Sequence, residues 1–113
     1  MKVLILTDLY RGSYRLLGDF YQSCLGEFGD VSQLPTPTSQ KERDALDCAG
    51  SLVLHNTLGE GFVPIRGCHN VAMPLHEWSE YPRDWINLLN QFDEIWTTTD
   101  HIRKLLERGG LKA

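Results

Sequence analysis

The sequence has little cysteine and no long apolar run, and each shortage excludes a class of protein. Its three cysteines, Cys24, Cys48 and Cys68, are odd in number and form no CxxC pair, so we expect free thiols in a reducing cytosol. No apolar stretch approaches the roughly 20 residues that span a bilayer. The first apolar run is only VLIL, and Asp8 follows soon after it, so we predict no signal peptide, no membrane span and a cytoplasmic location.

Positive charge and ligand-binding fingerprints are also scarce. The formal net charge is −4 and the basic residues do not cluster, so nucleic acid is not an expected partner. No GxGxxG fingerprint is present, and we predict no dinucleotide and no other cofactor. The pairs CH at 68–69 and HE at 76–77 do not have a recognised zinc spacing, so no metal site is predicted.

The composition that remains is typical of one globular domain. The chain has 113 residues, of which 42% are apolar and 23% are charged. A chain of this length buries roughly two thirds of the surface that its unfolded form exposes, which allows a core without disulfides. We therefore predict a single domain over residues 1–113.

Five segments are typical of β-strands. Residues 2–7 and 51–55 are apolar almost throughout, which indicates strands covered on both faces, as in a parallel sheet. Shorter strands are predicted at 29–34, 70–74 and 94–98. The segment from 56 to 68 shows neither helical nor strand periodicity, and long loops of this kind are often functional.

The segments between these strands carry helical patterns. Ser13 can cap a helix whose apolar residues form one broad stripe, namely Leu16, Leu17, Phe20, Tyr21, Cys24, Leu25 and Phe28. SQKE at 39–42 has the spacing of a capping box and predicts a short helix that ends near Gly50.

Two further helices are predicted towards the end of the chain. Pro82 suits the first position of a helix whose apolar residues are Trp85, Leu88, Leu89 and Phe92. The last helix has its inner face at Ile102, Leu105 and Leu106, and Gly109 or Gly110 supplies a left-handed C-cap. We expect Trp85 and Trp96 to lie in the core.

The alternation of strands and helices defines the fold class. It predicts right-handed crossovers and an α/β fold, a Rossmann-like three-layer αβα sandwich with a mostly parallel sheet of about five strands. A flavodoxin-like strand order is the main alternative.

Polar residues follow four of the five predicted strands, at the edge where ligands bind open parallel sheets. We call this edge the strand-end rim, and its candidate substrate-binding residues are Asp8, Arg11, Gly12, Ser13, His55, Asn56, Glu60, His76, Glu77, Trp78 and Thr99. No catalytic residue is assigned.

Each rim feature also has a structural interpretation. Gly12 and Ser13 form either a turn with an N-cap or a helix start that receives an anionic or hydroxyl-rich ligand beside Arg11. His55 is either a structural histidine or a ligand contact. Glu77, next to Trp78, either binds sugar hydroxyls or acts as a base, or it is a solvated loop acid.

The last third of the chain resembles the N-terminal domain of GT-B-fold, group-1-type glycosyltransferases. Those domains have a loop Glu after a strand, a Pro before a Trp-containing helix, an N-x-x-D-E-I/V-W strand, and a helix capped by Ser or Thr that ends in Gly. The matching residues here are Glu77, Pro82, Trp85, Asn90, Asp93, Glu94, Ile95, Trp96, Thr99 and Gly109 or Gly110. The rest of the chain agrees in element order only.

The resemblance implies one half of a two-domain enzyme. In that family the N-terminal domain holds the acceptor and the C-terminal domain holds the nucleotide-sugar donor. The donor-domain carboxylate motif and its phosphate-binding basic residues are missing here, and the glycine-rich first loop is reduced to Gly12. Thr99 stands where the family usually has Ser.

The expected function is therefore that of an acceptor-side glycosyltransferase domain, inactive alone. The chain would be part of a longer enzyme, or a free-standing half that works with a donor-domain protein or covers its rim by forming a homodimer. The alternative is a Rossmann-like binding or self-assembly module without sugar chemistry. A flavin protein is disfavoured, because the first loop lacks a phosphate cradle rich in Ser and Thr.

Overall fold

The computed structural model describes most of the chain, namely residues 2–8, 12–27, 29–46, 50–57, 61–74, 82–97, 100–108 and 110–111. Its elements follow in the order β1 (Lys2–Thr7), α1 (Gly12–Leu25), β2 (Asp30–Pro35), α2 (Gln40–Asp44), β3 (Leu52–Asn56), β4 (His69–Ala72), α3 (Arg83–Leu89), β5 (Glu94–Ile95) and α4 (Asp100–Arg108).

The five strands form one parallel sheet in the order β2-β1-β3-β4-β5. This confirms the predicted α/β, Rossmann-like fold. The order is the flavodoxin-like one, which is also what the six-stranded Rossmann sheet has when its outermost strand 3 is left out. In both arrangements the strand order reverses between β1 and β3, so both place the ligand crevice at the same point.

Alternate residues of the central strands pack on opposite faces of the sheet. On the face that we call face A, Val3, Ile5, Leu54 and Val71 form a cluster against Tyr21 and Leu25 of α1. On the opposite face B, Leu4, Leu6 and Val53 pack against Ile65 and Leu46. Ala72 also lies on face B, where it joins a cluster with Phe62, α3 and α4. Helices therefore cover both faces, as the three-layer prediction requires.

The helix ends agree with the sequence signals in part. At α2, Ser39 Oγ accepts a hydrogen bond from the Glu42 N–H at 3.2 Å, as a capping box predicts. The Glu42 carboxylate returns to the N–H of Thr38 at 2.8 Å, one residue before the expected partner. The α2 helix ends at Asp44, so the predicted end near Gly50 is wrong.

The last helix ends at a left-handed glycine, as predicted. Gly110 has φ +110°, and the N–H of Leu111 donates to the carbonyl of Leu106 at 3.0 Å. This is the six-to-one bond of a Schellman motif, which satisfies one of the free carbonyls at the helix end. Gly109 lies outside the described residues.

The broad apolar stripe of α1 is only partly buried, which corrects the sequence prediction. Tyr21 and Leu25 pack against the sheet, whereas Leu16 is 73% exposed, Phe20 is 61% exposed and Cys24 is exposed. The reason is that small Gly18 lies against the sheet and Tyr14 is buried beside it, so the buried line runs through residues 14, 18, 21 and 25. Leu16 and Phe20 lie on the other side of the helix.

No helix within the described ranges has the length and apolar character that crossing a bilayer requires.

Candidate functional site

The candidate site lies where the chain leaves β1 and β3 in opposite directions. After β1 the chain continues to α1 on face A, and after β3 it continues to the 61–68 segment, which packs on face B through Phe62 and Ile65. The two strand ends remain joined, because the Asp8 N–H donates to the Asn56 carbonyl at 3.1 Å. Crevices of this kind, at a reversal of strand order, are the usual ligand sites of open parallel sheets.

The start of α1 forms one wall of this crevice. Gly12 and Ser13 are exposed and lie in the first helical turn, whose N–H groups have no partners within the helix. Because the helix includes Gly12, Ser13 lies inside it and is not its N-cap, which corrects the sequence prediction. A Cβ at Gly12 would meet no atom of the described residues within 4 Å, so these residues leave room for a side chain at this position.

Asn56 connects the two walls. Its side chain is 1% exposed, and its Nδ2 donates to the backbone carbonyl of Tyr14 at 2.7 Å. The last residue of β3 thereby fixes the position of the first turn of α1. Thr57, which the sequence analysis did not select, follows at the same edge and is also buried. The sequence feature that could have identified Thr57 is its position immediately after an apolar strand.

His55 lies outside the crevice. It pairs with Leu6 and Ala72 in the sheet register and points to face B, where its ring makes an edge contact with Phe92 at a centroid distance of 4.7 Å. The side chain is 1% exposed. The structure therefore does not bring His55 together with Asp8, Ser13 and Asn56.

Asn70 determines the tautomer of His55. The Asn70 Nδ2 donates to the carbonyls of Ile65 at 2.9 Å and Cys68 at 3.2 Å, and its Oδ1 accepts from the Ile65 N–H at 2.9 Å. The same Oδ1 lies 2.9 Å from His55 Nε2, and as an acceptor it requires Nε2 to carry the proton. His55 Nδ1 is then a bare acceptor, and it has no hydrogen-bond partner among the described residues.

The surroundings of His55 keep it neutral. Burial lowers the pKa of His55 to about 4, the hydrogen bond to Asn70 opposes that shift, and the positive charge of Arg43 adds to it. A neutral, buried imidazole near pH 7 fits the structural interpretation of this residue. Asn70, the hydrogen-bond partner of His55, could have been identified from the sequence as a polar residue near the start of an apolar strand.

The other predicted rim residues fall outside the described ranges. These are Arg11, Glu60, His76, Glu77, Trp78 and Thr99. The described part of the crevice thus contains the carboxyl group of Asp8, the hydroxyl of Ser13, the amide of Asn56 and the first turn of α1, and none of these residues is basic. No group of three or more metal-ligating side chains occurs in the part of the chain that the structure describes.

Several residues of the glycosyltransferase-like segment have structural contacts. The Asn90 Nδ2 donates to the Gly110 carbonyl at 3.2 Å and joins the ends of α3 and α4. Asp93 Oδ2 accepts from the Asn70 N–H at 2.7 Å, and Ile95 packs against the cluster around Ala72. Trp96 is 39% exposed, so its predicted place in the core is wrong, whereas Trp85 packs against the core.

In the described part of the segment that follows β3, the apolar side chains of residues 62–65 are buried or partly buried. Phe62 is fully buried, and the large exposed apolar side chains of the described chain are Leu16, Phe20, Leu34 and Trp96. Comparison with protein-family models, with curated proteins and with solved structures finds no significant match to this chain.

Proposed function

We propose that the chain is the acceptor-side domain of a two-domain, GT-B-type glycosyltransferase, and that its crevice binds a hydroxyl-rich acceptor. The observation that carries the proposal is the composition of the crevice. A carboxyl group at Asp8, a hydroxyl at Ser13 and the backbone N–H groups of the first turn of α1 are of kinds that can bind sugar hydroxyls. The resemblance of residues 73–111 supports the same assignment.

The charge of the crevice favours an acceptor over a nucleotide. A departing nucleoside diphosphate requires preorganised positive charge, which Lys, Arg or a metal ion usually supplies. The described crevice offers one helix start and the acidic Asp8, which would repel a phosphate. We therefore expect the chain by itself to bind acceptor and to transfer no sugar.

Nuclear magnetic resonance of the ¹⁵N-labelled chain tests the proposal. The probes are methyl glucoside, methyl rhamnoside and methyl N-acetylglucosaminide, compared with uridine and guanosine diphosphate. We expect one of the glycosides to shift the amide signals of residues 8, 12–14, 56 and 57 with a dissociation constant of about 1–10 mM, as is usual for small neutral ligands. The diphosphates should leave these signals unchanged.

Two serines on α1 provide a matched pair of variants. Ser13→Ala removes the hydroxyl in the crevice, and Ser23→Ala removes an exposed hydroxyl on the outer side of the same helix. Only Ser13→Ala should weaken glycoside binding. If no glycoside shifts the crevice signals, or if a diphosphate does so, the acceptor-side proposal fails. The alternative, a binding or self-assembly module without sugar chemistry, then takes its place.

A further inference from the structure

The outer surface of α1 carries an apolar line that nothing in the described structure covers. Leu16 is 73% exposed and Phe20 is 61% exposed, and the exposed Cys24 continues the line. Residues four apart lie on one side of a helix, one turn above another. Large exposed apolar side chains grouped in this way commonly mark an interaction surface.

A polar line with a definite charge order runs beside it. Arg15, Asp19, Ser23 and Glu27 are all exposed and are again four residues apart. The positive side chain lies near the start of α1 and a negative one lies just after its end. Asp19 is held in place by the Gln33 Nε2, which donates to its Oδ1 at 2.8 Å.

From these two lines we infer that α1 is a docking surface for α1 of a second copy of this chain, in antiparallel orientation, with Phe20 facing its counterpart. In this arrangement Leu16 faces Cys24 of the other copy, and Arg15 lies near the other copy's Glu27. A two-fold parallel arrangement would place the polar lines of the two copies on opposite sides of the contact, so that Arg15 could not reach the other copy's Glu27. An antiparallel pair has two-fold symmetry, which is the commonest symmetry of homodimers.

The helix ends favour the same arrangement. The first turn of α1 contains no acidic residue and its last turn contains no basic residue, so no charged side chain within α1 compensates its macrodipole. The antiparallel partner brings Glu27 towards the first turn and Arg15 towards the last turn. Each copy thus supplies the charges that the other copy's helix lacks.

Other surfaces and occupants fit less well. At the β2 edge the Val31 carbonyl accepts from Gln22 Nε2 at 3.4 Å, and Pro35 has no N–H, so strand addition there is hindered. Binding to an anionic membrane would require several basic residues around the apolar line, whereas α1 exposes both Asp19 and Arg15, with Glu27 just after its end.

The proposed contact between the two copies is small, so we expect a dissociation constant of roughly 10–100 μM for the dimer.

Sedimentation equilibrium of the full chain tests this inference. Phe20→Glu should raise the dimer dissociation constant at least about 30-fold, because a buried central anchor usually contributes most of the affinity. Leu34→Glu, at another exposed apolar residue, should leave the constant unchanged. Circular dichroism verifies folding, and Leu16→Ser replaces Phe20→Glu if that variant is unfolded. A wild-type chain that is monomeric at about 1 mM, or dimers that persist in Phe20→Glu, would overturn the inference.

Charge exchange and cross-linking test the orientation. Arg15→Glu should raise the dimer dissociation constant a few-fold, because it places two negative side chains, at positions 15 and 27, near each other across the interface. The double variant that also carries Glu27→Arg should restore the affinity, since it exchanges the two charges. In a Leu16→Cys variant, a short thiol cross-linker should join the introduced thiol to Cys24 of the other copy. In the wild type the two Cys24 residues lie about 12 Å apart along the helix axes and should not react. Efficient cross-linking of the wild type would exclude the proposed alignment.

Discussion

His55 and Asn70 are joined between two adjacent parallel strands by a hydrogen bond of 2.9 Å from Nε2 to Oδ1. Asn70 uses every donor and acceptor of its amide, because it also contacts the backbone of Ile65 and Cys68. The described part of the β3–β4 connection contains no α-helix, so Asn70 holds this segment where a crossover helix would normally lie. The pair therefore stabilises the connection that borders the candidate crevice.

The depressed pKa of His55 predicts an acid-dependent loss of stability. The folded pKa is about 4 and the ordinary value is 6.5, so the unfolded chain binds the proton first as the pH falls. The contribution of His55 to the free energy of unfolding should be complete above pH 6.5 and be lost between pH 6.5 and 4, by about 3 kcal/mol. Urea unfolding at several pH values measures this loss.

Two histidine variants separate this contribution from other titrations. His55→Leu should remove most of the pH dependence between 6.5 and 4, because Leu has no proton to bind. His69→Gln should retain it, since His69 is half-exposed and contacts Glu94 on face A. Equal acid sensitivity in the wild type and in His55→Leu would contradict the assignment.

Removal of the Asn70 amide should be severely destabilising. Asn70→Ala leaves the buried Ile65 carbonyl and N–H, the partly buried Cys68 carbonyl and the His55 Nε2 without their partner, and we expect a loss of about 3–5 kcal/mol. Asn87→Ala, at an exposed position of α3, should change stability by less than about 0.5 kcal/mol. Chemical denaturation measures the free energy of unfolding of both variants. A loss below about 1 kcal/mol for Asn70→Ala would mean that water replaces the hydrogen bonds of the Asn70 amide.

Gly18 is required for the close approach of α1 to the sheet. A Cβ at this position would overlap Gln33 Oε1 and lie 2.6 Å from Thr7 Oγ1, which itself donates to Gln33 Oε1. Gly18→Ala should therefore cost about 1–3 kcal/mol although alanine is the better helix former. Gly12→Ala, where the space is open, should be neutral or slightly stabilising in the same thermal unfolding experiment.

Asn56 should couple the stability of β3 to that of the α1 start. Asn56→Ala removes the bond to the Tyr14 carbonyl, and we expect a loss of about 1–2 kcal/mol. Because the first turn of α1 is then held less firmly, amide hydrogen exchange at residues 14–18 should become faster. Unchanged exchange in this helix would show that Asn56 does not position the crevice wall.

Thr36 offers a stabilising substitution. Its Oγ1 is buried and has no hydrogen-bond partner among the described residues, while its backbone N–H donates to the Thr7 carbonyl. Thr36→Val keeps the shape and the backbone bond and removes the unpaired hydroxyl, so it should raise the free energy of unfolding by about 1 kcal/mol. A lower melting temperature would indicate that a water molecule satisfies the hydroxyl.

The strands of the central sheet were predictable because burial on both faces leaves a strong apolar signal. Residues 2–7 matched β1, and the predicted third strand was displaced by one residue. Apolar periodicity did not distinguish the two sides of α1, since Leu16 and Phe20 have the same character as Tyr21 and Leu25. The helix was predicted, but which of its apolar residues contact the sheet depends on how closely Gly18 approaches it.

The candidate site was predictable in position and only partly in detail. The rule for parallel sheets placed Asp8, Gly12, Ser13 and Asn56 at one edge of the sheet, and the structure has them at the ends of β1 and β3 and at the start of α1. That this edge binds a ligand stays a prediction. It also selected His55, because the alternation of side chains along a strand does not by itself show which of two adjacent residues faces the crevice. The role of Asn70 depends on its contacts with Ile65 and Cys68 in a segment of irregular backbone. Apolar periodicity does not predict such contacts.

The sheet order has a consequence for how the chain acquires its structure. β1 is an interior strand of the sheet, yet it precedes both of its partners in the chain: Lys2 pairs with Asp30, and Val3 pairs with Leu52. During synthesis this strongly apolar strand has no sheet neighbour until β2 emerges, and it is flanked on both sides only after β3 has formed. Folding governed by such distant contacts is slow. Until β2 has been synthesised, the nascent β1 therefore presents an unpaired apolar segment of a kind that is prone to aggregation.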